Sequence, residues 1–178
     1  MLRTKNFFLR PMYAPEDATR RYLDWIHDPE IYQTLMVDGP SQTIDSLIDY
    51  INGHDNQNSF LFGIYTHNGL HIGTHSFRYS ERRRCATVGV MIGDKDYWGK
   101  GVPLETRAKI LDWAFDAFDC RKVEAGCFSN NVPALYNFLK QKWVREGILR
   151  ASWLIDEEEV DLISFGMLKE EWDEIRGA

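Results

Sequence analysis

The spacing of apolar residues along the chain predicts where strands give way to helices. An apolar run at residues 7–12 predicts a first strand, and Pro15 suits the first turn of the helix that follows. The apolar positions of that helix recur at helical spacing: Ala18, Tyr22, Trp25 and Ile26. The break at residues 28–30 predicts a second helical piece through Leu35, and residues 41–43 can cap a third helix.

The middle of the chain changes to a strand pattern. Residues 60–65 and 70–79 are rich in apolar and aromatic side chains, and the Asn68-Gly69 pair between them is a hairpin signal. Residues 85–92 are nearly all small or apolar, as expected for a strand that is buried on both faces. Three antiparallel strands are therefore predicted here.

The next segment is the clearest helix in the sequence. Its apolar residues recur at steps of four and three: Leu104, Ala108, Leu111, Phe115 and Phe118. The polar residues of this segment occupy the other side of the helix: Arg107, Lys109, Asp112 and Asp116. This pattern predicts an amphipathic helix whose charged residues face solvent.

The remaining chain predicts a strand at residues 121–128 and a helix at residues 133–141. The inward positions of that helix are Ala134, Leu135, Phe138 and Leu139. Two more strands, at residues 144–153 and 160–168, flank an acidic turn. The order predicts a mixed α/β fold, with a single central and mostly antiparallel sheet flanked by helices.

Composition narrows the class of protein. The chain has 178 residues and is 44% hydrophobic, which favours one globular domain spanning residues 1–178. Its net charge of −6 argues against general binding to nucleic acid or anionic membranes, which needs a basic field. No apolar run approaches membrane-span length and no signal-peptide core is present, so a cytoplasmic protein is expected.

The cysteines and histidines predict neither disulfides nor a metal site. Cys85, Cys120 and Cys127 are odd in number and lie in or beside apolar segments, where free cysteine acts as a small hydrophobe. His71 and His75 could share a strand face, but two ligands without a third are a weak metal site. No metal is therefore expected.

The segment between residues 92 and 102 carries the candidate chemistry. A predicted buried strand runs into Gly93-Asp94-Lys95-Asp96-Tyr97-Trp98-Gly99-Lys100-Gly101, and a helix follows. Glycines let a backbone approach an anion closely, and free N–H groups at a helix N-terminus attract phosphate oxygens. The same residues would also suit a tight turn without a ligand, so two interpretations remain open.

Three segments, in family order, resemble the GNAT acetyltransferase superfamily in its RimJ/RimL-like branch. The run from Ile92 to Gly101 resembles the acetyl-CoA loop of that superfamily. Asn131, Phe138 and then Val144-Arg145-Glu146-Gly147 are similar to its second CoA-contacting motif. The run Trp25-Ile26-His27-Asp28-Pro29-Glu30 is similar to the first helices of the branch.

This resemblance implies roles for particular residues. The cofactor-binding residues that it implies are Val90, Met91, Ile92, Trp98, Gly99, Lys100, Gly101, Val102, Pro103, Asn131 and Phe138. The early helices and the strands between Phe60 and Tyr79 are implied to form the acceptor side, and the candidate substrate residues are Trp25, Asp28 and Tyr32. The implied co-substrate is acetyl-CoA and the implied acceptor is a primary amine.

Three positions depart from the family pattern. Pro103 has no N–H to offer phosphate, and Thr87 stands where many relatives carry an acidic base. Phe138 stands where many relatives carry a tyrosine that protonates the leaving thiolate. The catalytic acid and base are therefore not assigned, and lower-ranked candidates are Ser129, Tyr136 and Glu81.

The sequence therefore predicts an N-acetyltransferase that uses acetyl-CoA. The acceptor is expected to be a small molecule such as an amino sugar, or a protein N-terminus. The departures at Thr87, Pro103 and Phe138 keep a non-catalytic, CoA-binding regulatory module open as the alternative. Assembly as a homodimer is left open as well.

Overall fold

The computed structural model describes residues 1–177. The first half contains β1 (Leu2–Arg3), β2 (Phe7–Pro11), α1 (Arg20–His27), α2 (Pro29–Tyr32), α3 (Ile44–Asn52), β3 (Ser59–Thr66), β4 (His71–Ser80) and β5 (Cys85–Ile92). A 3-10 turn (Lys95–Tyr97) precedes α4 (Val102–Ala117), β6 (Lys122–Phe128), α5 (Val132–Lys140), β7 (Val144–Ile155), β8 (Glu158–Leu168) and α6 (Lys169–Gly177).

The strands form a sheet in the order β1-β2-β3-β4-β5-β6-β8-β7. The pair β5–β6 is parallel, and the pairs β1–β2, β2–β3, β3–β4, β6–β8 and β7–β8 are antiparallel. The mixed α/β class with a mostly antiparallel sheet is therefore confirmed. The chain divides into two compact units, residues 1–78 with 90–110, and residues 79–89 with the described residues from 111 onward.

The first unit has an apolar core between its early helices and strands. The buried members of this core include Met12, Tyr22, Leu23, Ile26, Ile31, Leu47, Ile51, Leu61 and Met91. Helix α3 begins as the sequence predicted, because the Thr43 side chain accepts a hydrogen bond from the Ser46 amide and the Ser46 side chain accepts one from the Thr43 amide.

Helix α1 begins later than the sequence predicted. Thr19, not Pro15, precedes its first turn, and the Thr19 side chain accepts a hydrogen bond from the Tyr22 amide. Residues 14–17 form a turn in which the Asp17 carboxylate binds Arg10 at 2.7 and 2.8 Å. Helix α2 ends at Tyr32 and does not continue to Leu35.

Two predictions about side-chain direction in the first unit were wrong. Arg107 was assigned to the solvent side of α4 but is only 3% exposed. It lies on the buried side of this half of the helix, whose buried positions are Val102, Thr106, Arg107 and Ile110. His71 and His75 do not share a strand face, since the β3–β4 pairing shifts register between Ile64 and Tyr65. The shift leaves one extra residue between His71 and Gly73 and reverses the alternation.

The second unit packs α5 and α6 with β6, β7 and β8. Phe138 is buried, with its ring stacked on Phe165 at 4.4 Å and edge-on to Trp143 at 5.3 Å. Leu139 was predicted to face inward but is 65% exposed. One residue after Phe138, it lies about 100° further around the helix and away from that aromatic stack.

Further corrections concern α6, β5 and the acidic turn. Helix α6 was not predicted. It is held against α4 by Trp172, whose indole N–H donates a 3.0 Å hydrogen bond to the Asp112 carboxylate. Strand β5 is not buried on both faces throughout, since Thr87 is exposed. The acidic turn is only Asp156 and Glu157, both with positive φ, and β8 already begins at Glu158. The three cysteines are free and buried, as predicted.

Candidate active site

Two left-handed glycines shape the loop between β5 and α4. Gly99 has a φ of +72° and Gly101 a φ of +74°, a region that side chains with a Cβ rarely adopt. A Cβ added at either position would meet no protein atom within 4 Å. Because the packing of the protein does not demand glycine here, the open space beside both residues is available to a ligand.

The amides of this loop are available as hydrogen-bond donors. Among the described residues, none accepts a hydrogen bond from the main-chain N–H of Gly99, Gly101 or Val102. They lead into α4, which is 16 residues long, so the partial positive charge of its N-terminus adds to the attraction for anions. Pro103, the second residue of α4, contributes no N–H.

Ion pairs and an indole fix the loop within the first unit. Asp94 accepts a 2.7 Å hydrogen bond from Arg21 on α1, and Lys95 pairs with Asp28 at 2.7 Å and with Glu30. The indole N–H of Trp98 donates a 2.8 Å hydrogen bond to the carbonyl of Ile92. The loop is therefore held from α1, from α2 and from its own strand.

The start of the loop is also fixed by backbone packing. The carbonyl of Ile72, the extra residue of the β4 bulge, accepts hydrogen bonds from the amides of Gly93 and Asp94 at 3.0 and 3.1 Å. A Cβ at Gly93 would overlap the indole of Trp25. Glycine is required at this position by a close approach, and not by an unusual φ.

Strand β5 leaves part of its main chain for another partner. Its parallel pairing with β6 covers Cys85–Thr87 against Lys122–Glu124. Within the described residues, no register with β6 extends to residues 88–92. The main-chain groups on that edge, including those of Val90, Met91 and Ile92, can therefore pair with an extended ligand, and their implied contact with a cofactor stays a prediction.

The three predicted substrate residues have different environments. Trp25 is only 8% exposed, packed edge-on against His71 at 5.0 Å and beside Tyr22. Asp28 caps α2 and pairs with Lys95, whose hydrogen bond is the main reason that the pKa of Asp28 lies below its usual value. Tyr32 is half-buried at the end of α2. Their substrate role stays a prediction.

Asn131 and Phe138, the predicted second CoA-contacting pair, belong to the second unit. Asn131 is the N-cap of α5, where its side-chain oxygen accepts a 3.1 Å hydrogen bond from the Ala134 amide. Its side-chain NH₂ group is not used by this cap. Phe138 lies in the aromatic stack with Phe165, so both residues have a structural role, and their contact with a cofactor stays a prediction.

The lower-ranked catalytic candidates also lie in the second unit. Glu81 is exposed in the turn after β4, and Ser129 is half-buried at the end of β6, where its amide donates to the Asp161 carbonyl. Tyr136 is 59% exposed on α5, where Phe138 is 4% exposed. Tyr136 therefore faces away from the Phe138 position, because two residues along a helix correspond to a rotation of about 200°.

Sequence reasoning missed several residues that surround the candidate loop. Arg21 and Asp94 are far apart in sequence, and no local signal joins them. His71 stacks on Tyr65 at 4.8 Å, its Nε2 lies 2.9 Å from the Gly73 carbonyl, and burial lowers its pKa to about 4. A histidine beside a strand bulge is visible in the sequence only once the register is known.

Two kinds of feature are absent from residues 1–177. Within that range, no three side chains of His, Cys, Asp or Glu are grouped in a way that could hold a metal ion. In the same range, no helix combines the length and apolar character needed to cross a membrane.

Comparison with known proteins identifies a family. Residues 6–140 match the model described as an acetyltransferase (GNAT) domain. An uncharacterized N-acetyltransferase, p20, from Bacillus licheniformis is 28% identical over 102 residues. That match covers 57% of this chain and 57% of the length of p20.

Solved structures of other acetyltransferases share the fold. Spermidine N-acetyltransferase from Vibrio cholerae, in complex with CoA and spermine, superposes with a TM-score of 0.84 at 19% identity, covering 94% of this chain and 98% of its own. The ribosomal L7/L12 α-N-protein acetyltransferase RimL, in complex with CoA, gives a TM-score of 0.78 at 14% identity, covering 94% and 97%. At these identities the likeness concerns the fold alone.

Proposed function

The chain belongs to the GNAT acetyltransferase family, and we propose that it moves the acetyl group of acetyl-CoA to a primary amine. One observation carries this proposal: two left-handed glycines, Gly99 and Gly101, border open space beside donor amides at the start of a long helix. Gly69 in the β3–β4 hairpin is also left-handed and borders open space, so the support comes from the combination of two such glycines with donor amides at the start of a long helix. A bound pyrophosphate would need both the space and the donors.

In this proposal, each part of acetyl-CoA is assigned to a chemical group of the chain that can bind it. The amides of Gly99, Gly101 and Val102 donate to pyrophosphate oxygens, and the exposed Lys100 adds positive charge. The β5 edge at residues 90–92 pairs with the amide groups of the pantetheine arm. Asn131 contributes its unused side-chain NH₂ group, and Phe138 packs near the thiol end. Trp98 and Pro103 position the two ends of the loop.

The acceptor side is proposed to lie at the early helices, as the resemblance implies. Asp28 and Tyr32 provide polar side-chain atoms there. The indole of Trp25 packs directly against Gly93 and so supports the start of the loop. We propose a small-molecule primary amine as acceptor and place the chain near the RimJ/RimL-like branch. Both a spermidine acetyltransferase and a protein N-terminal acetyltransferase share this fold, so fold likeness does not choose between acceptor classes.

We also propose that residues 1–178 act as one acetyltransferase domain in the cytoplasm. The family match over residues 6–140 draws on both compact units, which supports a single functional domain. Acetyl-CoA and the amine are the proposed binding partners, and no metal is required by the proposed transfer.

The proposal is tested by measuring CoA release from acetyl-CoA with three amines: spermidine, glucosamine 6-phosphate and a peptide with a free N-terminal serine. We expect amine-dependent release of free thiol, and acetylated product by mass spectrometry, with a small-molecule amine. Acetylation of the peptide alone would move the acceptor to protein N-termini. Acetyl-CoA binding without turnover of any amine would favour the regulatory module instead.

A further inference from the structure

Arg78, near the end of β4, is an exposed cation of the first unit that has no acidic partner. In the same unit, three other arginines each pair with a carboxylate at 2.7 or 2.8 Å: Arg10, Arg20 and Arg21. Among residues 1–177, no carboxylate lies within ion-pair distance of Arg78. Its guanidinium is therefore available to an anion that the chain itself does not supply.

Arg78 lies on the face of the sheet that packs against helix α3. It pairs with Ser59 on β3, and Ser59 is two residues before Leu61, so all three side chains point to the same face. Leu61 packs in the core of the first unit with Leu47 and Ile51 of α3. This face belongs to the side of the early helices, where the proposed function places the acceptor.

Strand β4 connects Arg78 to the start of the proposed CoA-binding loop. At the other end of this strand, the Ile72 carbonyl accepts a hydrogen bond from the Gly93 amide, and a Cβ at Gly73 would overlap the Met91 carbonyl. At about 3.4 Å per residue, the five residues from Gly73 to Arg78 span about 17 Å, and the long arginine side chain can cover part of this distance. A small acceptor can therefore contact Arg78 while its amine lies beside the β5 edge that is proposed to bind pantetheine.

Ser59 lies opposite Arg78 and has a buried hydroxyl that lacks a partner. It is 9% exposed, and no described residue lies in hydrogen-bonding geometry with its Oγ. Directly opposite residues have Cβ atoms about 4.5–5.5 Å apart, so this hydroxyl lies next to the arginine side chain. Buried hydroxyls are nearly always hydrogen-bonded in folded proteins. Because the Arg78 side chain is exposed, it can move to admit an anion, whose oxygen then accepts the Ser59 hydrogen bond.

Tyr50 on α3 adds a second hydroxyl near the guanidinium. Burial raises the pKa of its phenol, and the nearby positive charge of Arg78 opposes that rise without cancelling it. The ring is held edge-on to His54 at 5.0 Å, and Nδ1 of His54 lies 2.9 Å from the Tyr50 carbonyl. The phenol is therefore protonated at neutral pH and can donate a hydrogen bond to an anion bound by Arg78.

The acidic residue nearest to Ser59 in the sequence, Asp55, does not occupy this place. Its Oδ1 accepts hydrogen bonds at 2.9, 2.9 and 2.7 Å from three amides of the turn before β3: Gln57, Asn58 and Ser59. These bonds lower the pKa of Asp55 and hold its carboxylate on its own turn. The cation of Arg78 thus keeps no acidic partner, although a carboxylate lies close to it in the sequence of β3.

We propose that Arg78, with the hydroxyls of Ser59 and Tyr50, binds an anionic group of the acceptor, an inference that rests on the proposed function. The acceptor is then a small primary amine that also carries a carboxylate or a phosphate. A planar guanidinium donates two parallel hydrogen bonds to either group. A polyamine, whose charges are all positive, is repelled by the same side chain.

The test compares acceptors that differ only in the anionic group. Glucosamine 6-phosphate is paired with glucosamine, and γ-aminobutyric acid with its amide, so that phosphate and carboxylate are examined separately. In at least one pair, wild-type kcat/KM for the anionic member should exceed that for the neutral member by about tenfold or more. Equal values within both pairs, or a higher value for spermidine than for every anionic acceptor, would overturn the proposal.

Arg78→Met should reduce this preference to less than about threefold, mainly by raising KM for the anionic acceptor, because the lost contact is one of binding. Arg3→Met is the matched control, since it removes an exposed arginine from β1 of the same unit, and it should keep the preference. A preference that survives in Arg78→Met, or is lost equally in Arg3→Met, would overturn the proposal. If Arg78→Met does not fold, Ser59→Ala should lower the preference by about threefold, and an unchanged preference there would overturn it.

Failure of the proposed function has a different signature. A wild-type protein that binds acetyl-CoA yet acetylates no amine would refute the transferase proposal. The anion subsite is then judged by titration calorimetry with the same two pairs of compounds. Binding of an anionic member without binding of its neutral partner would support the subsite, and equal binding or no binding within both pairs would overturn it.

Discussion

Arg21 on α1 donates a 2.7 Å hydrogen bond to Asp94, which opens the loop between β5 and α4. The same guanidinium donates to the His71 carbonyl at 3.2 Å and lies over the Trp25 ring. One side chain thus joins α1, β4 and the first residue of the loop turn. Its role should therefore be more visible in ligand binding than in stability.

Arg21→Met should weaken acetyl-CoA binding by about threefold to tenfold, since one partly exposed ion pair contributes about 1 kcal/mol. The melting temperature should change little. Arg20→Met is the matched control, because Arg20 makes a similar 2.8 Å pair with Asp24 within the same helix and away from the loop. Titration calorimetry with acetyl-CoA checks both variants; equal affinities in the two would show that the Arg21–Asp94 pair does not support the loop.

Gly101→Ala tests whether the left-handed glycines serve a ligand. The new Cβ strains the backbone by about 1–2 kcal/mol and enters the open space beside the donor amides. Gly69→Ala provides the same strain in the β3–β4 hairpin, where φ is +87° and no atom lies within 4 Å of the added Cβ. Both variants should lose similar stability in urea unfolding, but only Gly101→Ala should lose acetyl-CoA affinity. Unchanged affinity in Gly101→Ala would mean that the loop is merely a turn.

Much of the fold could be predicted from local patterns. Strand β5 has the predicted bounds, because small apolar residues fill it and glycine follows it, and α3 begins where Thr43 provides its cap. Helix α6 was missed since only Trp172 and Ile175 among its nine residues are large and apolar. Its stability comes from tertiary contacts, which no short window of sequence contains.

The candidate site was likewise predicted only where a short stretch of sequence carries its own signal. The glycine-containing loop carries its own local signal in Gly99 and Gly101. Arg107 was misplaced because a charged residue is ordinarily assigned to solvent. The neighbourhood of Ser59 and Arg78 depends on which strands pair and in which register, and that relationship between two segments is not written in either segment alone.

Asn131 offers a way to separate a helix cap from a cofactor contact. Asn131→Asp keeps a side-chain oxygen for the Ala134 amide and replaces the free NH₂ group with a negatively charged oxygen. Acetyl-CoA binding should weaken while the free energy of unfolding stays nearly unchanged. Asn131→Ala should cost about 1 kcal/mol of stability through loss of the cap. If Asn131→Asp binds acetyl-CoA like the wild type, the residue serves only as a cap.

The buried His75 should make the fold sensitive to acid. It is fully buried, and no described residue lies in hydrogen-bonding geometry with either ring nitrogen. Burial first, and then the positive charge of Arg107, lower its pKa to about 3. An unfolded histidine takes up a proton near pH 6.5, so stability should fall as the pH drops below about 6.5 toward the folded value.

His75→Leu should make that decline shallower, because it removes a group that only the unfolded state protonates in this range. The decline should not vanish, since His71, with its own lowered pKa, contributes in the same direction. Urea unfolding between pH 7.5 and 4.5 gives the comparison. A decline as steep in His75→Leu as in the wild type would show that the acid sensitivity has another source.

The central claim, that the loop from Gly93 to Gly101 holds acetyl-CoA, is tested most directly by a thermal melt of the wild-type protein with and without that ligand. A ligand that binds only the folded state stabilises it by mass action, so acetyl-CoA should raise the melting temperature in proportion to the logarithm of its concentration. NAD and ATP at equal concentration should do so weakly or not at all. No shift at about 1 mM acetyl-CoA, where a site of micromolar affinity would be nearly saturated, would contradict the account.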